Sequence, residues 1–132
     1  MSSMTVPTTT QHAELVAQLP ELRAILEEQR RFRREQLSQL NDQYTQSQLE
    51  VAGRHVDSLD TSADNARVEV SAAVEAAAHL ALDDIQAALA RMDAGRYGYC
   101  AQCDRPIPIE RLFAIPQAPL CMHCQRRAEH RR

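Results

Sequence analysis

Apolar and charged positions alternate with a helical period over two long stretches of the chain. From Ala13 to Ala52, Leu15, Leu19, Leu22, Leu26, Phe32, Leu37, Leu40, Tyr44 and Val51 recur at roughly three- and four-residue steps. That spacing sets side chains on one face of an α-helix. Pro20 interrupts the stripe. Proline suits the first turn of a helix and not its interior, so the pattern predicts a main helix beginning at Pro20, with a short helix folded back before it. Gly53 ends the run, and residues 54–62 are polar and turn-like. A second helix is then predicted to about Ala94, with Val70, Val74, Ala78, Leu82, Ile85, Leu89 and Met92 on one face. Asp57-Ser-Leu-Asp60 and Thr61-Ser-Ala-Asp64 are two candidate starts, each a capping residue followed three positions on by an acidic one. Gly95 supplies the stop. Two amphipathic helices joined by a short loop pair antiparallel, because each otherwise exposes its stripe. Arms of about 35 residues, rising ~1.5 Å per residue, make a rod about 50 Å long.

Composition favours this extended layout over a thick globular core. Apolar residues make up 44 % of the chain, but many are alanine and aromatics are only 4 %. Such helices bury little area per residue. The formal net charge of -3 argues against binding nucleic acid along the whole surface. No apolar run approaches the ~20 residues that span a membrane. Residues 1–12 are Ser/Thr-rich and lack an apolar segment, so they are expected to be a disordered tail rather than a signal peptide. A cytoplasmic chain follows, and in that reducing compartment paired CxxC motifs are metal ligands or redox dithiols rather than structural disulfides.

Both CxxC motifs lie near the C-terminus. Cys100 and Cys103 form one pair, Cys121 and Cys124 the other, and the interval between the pairs fits a four-cysteine zinc site. Two cysteines on one tight knuckle donate two thiolates to a tetrahedral ion, and the second knuckle supplies two more. The segment Asp104–Leu120 is proline-rich and poor in polar anchors, so metal binding and folding are coupled over residues 95–132. A thioredoxin-like dithiol wants a βαβ setting that neither pair has. Rubredoxin-type iron is chemically possible but is not the expectation. Four thiolates leave no open position for water, so the one expected zinc is structural, and His123 is taken as a surface residue.

Asp57 and Asp60 fall in the loop between the helices. Capping and first-turn charge account for both at about 1 kcal/mol. Their position also places carboxylates where a thin probe would meet a metal or a basic wall. Arg30, Arg31, Arg33 and Arg34 read as a solvated face paired with Glu27, Glu28 and Glu35, and the C-terminal arginines Arg126, Arg127, Arg131 and Arg132 as the end of a short helix.

The stretch Gly95-Arg-Tyr97-Gly98-Tyr-Cys100, with Cys103, Ile107, Ile109, Arg111-Leu112, Ala114, Pro116, Ala118, Cys121 and Cys124, resembles the DksA/TraR zinc-finger proteins. The helical hairpin before it matches as well. That family carries a D-x-x-D-x-A motif at its coiled-coil tip, and Asp57, Asp60 and Ser62 stand at the corresponding positions, serine replacing the alanine. The resemblance implies a non-enzymatic bacterial regulator that binds RNA polymerase, inserts its tip into the secondary channel and alters open promoter complexes. It does not extend to guanosine tetraphosphate. Where alarmone-responsive members carry cations, this chain has Asp84, Ile115 and Gln125. Asp104 replaces a glycine after the second cysteine, and aspartate tolerates the left-handed backbone such a knuckle needs.

The expected molecule is thus mostly α: residues 1–12 a tail, 13–94 an antiparallel helical hairpin (coiled coil) with its tip at about 53–62, and 95–132 a zinc-finger module with a short C-terminal helix. It is expected to be a monomer without sequence-specific DNA binding. The alternative is a nucleic-acid-binding zinc module whose coiled coil dimerises; a third possibility, a redox or zinc-dependent enzyme, needs a reactive thiol or an open metal site.

Overall fold

A computed structural model describes the backbone of residues 5–52 and 58–130, with side chains over 10–50 and 66–130. Four helices follow in order: α1 (Thr5–Ala52), α2 (Ser58–Asp93), α3 (Ile109–Ala114) and α4 (Met122–His130). Between α2 and α3 an isolated antiparallel bridge pairs Tyr99 with Pro106. The fold is the expected one, a long helical hairpin followed by a small four-cysteine module.

Two boundaries differ from expectation. α1 begins at Thr5, inside the segment read as a tail. Proline is tolerated in a first helical turn, so Pro7 does not prevent this start. α1 also runs unbroken through Pro20, so no short helix folds back before it. An interior proline costs about 3 kcal/mol. Here Leu15 lies before the proline and Leu22 and Leu26 after it, all buried in one cluster that a break would pull apart. Each such side chain contributes roughly 1.5–3 kcal/mol on burial, enough to offset the proline.

α2 ends where Gly95 predicted. Gly95 N–H donates to Met92 O and Arg96 N–H to Arg91 O, at 3.1 and 2.9 Å, with Gly95 at φ 74°. These are the two bonds of a Schellman motif, whose left-handed residue favours glycine.

The chain divides into two compact units, Met1–Gln29 with Asp84–Arg132, and Arg30–Asp83. The first holds a continuous core: Leu15, Leu22 and Leu26 from α1, Ile85, Ala88 and Leu89 from α2, and Tyr97, Cys100, Ile107, Leu112 and Cys124 from the module. Gly98 is required there twice over. Its φ is +92°, and a Cβ would sit 2.5 Å from Leu15 Cδ2.

In the second unit Ala78 is the one buried residue among those described. Phe32, Tyr44, Val70 and Val74, all expected on the apolar stripes, are exposed. Phase explains Phe32: ten residues beyond Leu22, at about 100° per residue, it stands about 80° off the seam. Half-buried Arg33 takes the seam position, its Nη1 donating to Gln36 Oε1 at 3.1 Å. Beyond it an open groove of about 660 Å³ lies between the two helices, lined by Leu40, Tyr44, Val68 and Val70 among others.

Candidate metal centre

The first knuckle is a backbone turn built before any metal is considered. Cys100 N–H donates to Arg105 O (2.8 Å), Asp104 N–H to Cys100 O (2.9 Å), and Ile107 N–H to Gly98 O (2.8 Å). The turn closes through Asp104 at φ 61°, the left-handed conformation expected of an aspartate standing in for glycine. The second knuckle opens α4. Cys121 precedes that helix and Cys124 lies in its first turn, with Gln125 N–H donating to Cys121 O at 2.9 Å.

Three contacts hold the knuckles together. Ala101 N–H donates to Pro119 O at 2.8 Å, joining the first knuckle to the segment that leads into the second. Arg111, on α3, donates through Nε to Leu120 O at 3.2 Å. Tyr97 donates its hydroxyl to Pro116 O at 2.8 Å from a buried position. The sequence pattern did not reveal the partners in these bonds. Tyr97 and Arg111 belong to the recurring motif, but which carbonyl each would meet depends on the path of the chain between the knuckles. His12 Nδ1 lies 2.9 Å from the Tyr99 hydroxyl, tying the early part of α1 to this module.

The four sulfur atoms lie within 4.8 Å of one another, with Cys103 and Cys121 at 3.8 Å. A regular tetrahedron of Zn–S bonds about 2.3 Å long has edges of about 3.8 Å. Cys100 and Cys124 are buried, Cys121 is half-buried and Cys103 is exposed. His123 is exposed and lies outside the sulfur cluster.

The electrostatics of the bare thiols call for a cation. At Cys100, burial pushes the pKa up, but amide hydrogen bonds from Cys121, Cys103 and Gln102 outweigh it and bring the thiol to about 6. At Cys124, burial and then the neighbouring thiols push it up to about 12. The Arg105 amide lowers that of Cys103, yet burial and adjacent sulfurs raise it overall. One thiolate forms readily and opposes the next. A doubly charged ion removes that opposition, since a coordinating thiol is deprotonated outright. Four thiolates around one ion form a closed structural site with no position for water or substrate.

Of the residues expected at the tip, Asp57 lies outside the described residues. Asp60 and Ser62 fall in the early turns of α2, and their side chains lie outside the described ones.

These features define a class, the helical-hairpin proteins with a structural four-cysteine zinc finger. Residues 95–130 match the prokaryotic dksA/traR C4-type zinc finger. The RNA polymerase-binding transcription factor DksA of Haemophilus influenzae is 45 % identical over 47 residues, a match spanning 36 % of this chain and 32 % of that protein. The structure of transcription factor DksA2 from Pseudomonas aeruginosa aligns with a TM-score of 0.71 at 27 % identity, over 87 % of this chain and 85 % of that one. The C-terminal module is thus similar to the dksA/traR C4-type zinc finger, the long helices are similar in fold to DksA2, and the cofactor held by the four cysteines is one structural zinc.

Proposed function

We propose that this chain is a cytoplasmic, monomeric, non-enzymatic regulator that binds RNA polymerase, inserts its helical tip into the secondary channel and modulates transcription initiation. What carries the reading is the combination of a matching zinc finger with a hairpin fold shared with DksA2 over most of both chains. Asp57 and Asp60 are the residues assigned to the tip, with Ser62 beside them. Carboxylates delivered beside a moving catalytic element shift its equilibrium by making different contacts in its two states. No bond is made or broken by this chain. Among its described residues, no helix is long and apolar enough to cross a membrane.

Guanosine tetraphosphate is not part of the proposal. Asp84 and Ile115 are exposed, and Gln125 donates to Glu129 at 3.2 Å, so none of the three positions offers a cation to a phosphate. The test is a pull-down with core RNA polymerase followed by promoter-complex lifetimes. Asp57→Asn/Asp60→Asn is expected to retain polymerase and lose the effect on lifetime. Unchanged lifetimes with binding intact would overturn the tip assignment, and failure of the native chain to retain polymerase would overturn the reading as a whole.

A further inference from the structure

The zinc ligands are not all held in the same way. Cys100 is fixed by the turn around it and Cys124 by the core. Cys121 is half-buried and stands just before α4, at the end of a segment that contains Pro116 and Pro119. Proline has no N–H, so this segment has fewer backbone donors with which to anchor its own path.

The peptide unit joining Leu120 to Cys121 is gripped at both ends. Its carbonyl accepts from Arg111 Nε at 3.2 Å. Its N–H donates to the Cys100 sulfur, the foremost of the amides that favour that thiolate. A trans peptide is planar, with C=O and N–H pointing in opposite directions. Fixing the oxygen therefore aims the N–H and places the Cα of Cys121. Arg111 also reaches past Cys121, its Nη1 meeting Met122 Sδ at 2.8 Å, where a thioether is a weak acceptor. The next residue, Leu112, is fully buried in the core and anchors α3, which brings the half-buried Arg111 to the second knuckle.

We infer that Arg111 is a positioning residue for the metal centre, acting on the Cys100 sulfur through the Leu120–Cys121 peptide without touching the ion. The guanidinium carries a full charge and polarises the carbonyl it holds, and a polarised peptide donates more strongly at its N–H. Four thiolates around a doubly charged ion leave negative charge in excess, which hydrogen bonds to sulfur disperse. A role confined to packing would leave the electrons of the sulfur unchanged, and that difference can be read spectroscopically. The role uses no tip residue and is independent of the polymerase reading.

The test uses the full-length chain. Competition with a chromophoric chelator gives its zinc affinity, and the sulfur-to-cobalt charge-transfer band of the cobalt(II)-loaded form reads hydrogen bonding at the sulfurs. Arg111→Met keeps an apolar stem and removes the donors. It should weaken zinc binding about 10–100-fold and move the band to lower energy, because a sulfur that loses a donor gives up its electrons more readily. Arg111→Lys restores a charged donor and should recover most of the affinity and return the band towards its native position. Leu89→Ala weakens the core that carries the module and should leave the band where it is. An unmoved band in Arg111→Met would overturn the proposal. So would an equal displacement in Leu89→Ala, or binding by Arg111→Lys as weak as that of Arg111→Met. If Arg111→Met takes up no metal, Arg111→Gln replaces it with the same expectations.

Discussion

The same two helices contribute to both compact units, yet the units are held together differently. In Met1–Gln29 with Asp84–Arg132, leucines of α1 meet Ile85 and Leu89 of α2 and the buried face of the zinc module. In Arg30–Asp83, the described side chains bury little beyond Ala78, Arg33 occupies the seam, and a groove separates Leu40 and Tyr44 from Val70. Helical periodicity is present in both. What differs is the supply of partners, because an apolar stripe stabilises a helix only when a third surface or a complementary stripe covers it. Local stability follows burial density, so the two units are expected to open at different free energies.

Removing the metal is the strongest way to test that difference. Structural zinc in such modules is worth about 10–16 kcal/mol of apparent binding free energy. A chelator, or Cys124→Ser, should abolish hydrogen-exchange protection across residues 97–125 while leaving exchange in Arg30–Asp83 nearly as it was. Equal loss in both units would show one cooperative block and break the comparison.

A pair of leucine truncations sharpens the comparison on a smaller scale. Leu26→Ala, at a fully buried site, should lower stability in urea by about 2–5 kcal/mol. Leu40→Ala, at a half-buried site lining the groove, should lower it by less than about 1 kcal/mol. Similar costs at the two positions would mean that the groove closes in solution.

A small effect is also expected at Tyr97. Replacement by phenylalanine removes the bond to Pro116 O and should cost about 1 kcal/mol. Burial raises the hydroxyl pKa to about 12, with Arg91 opposing the rise. The folded chain therefore holds this proton more tightly than the unfolded one. The corresponding stability is fully present below the ordinary value of 10.0 and is lost as pH rises towards about 12. Melting temperature against pH should show this alkaline slope in the native chain and a shallower one in Tyr97→Phe.

Both helices and the metal ligands were legible because their signals are local. A 3.6-residue period identifies an α-helix wherever it occurs, and two CxxC knuckles carry their chelate geometry within a few residues. Gly95 ended α2 for an equally local reason, its left-handed backbone. Other features were not legible, among them the short helix α3. The passage of α1 through Pro20 was decided by burial of leucines on both sides of it. The need for glycine at position 98 arises from Leu15, far away in the chain. The exposure of Tyr44, which stands in phase with buried Leu26, follows from the open groove opposite it, which periodicity counted within a single helix does not register. The sequence by itself thus determined the element types and the zinc ligands, since neighbouring residues set them. Only the tertiary structure decided which stripes were covered, because burial depends on surfaces brought together from distant parts of the chain.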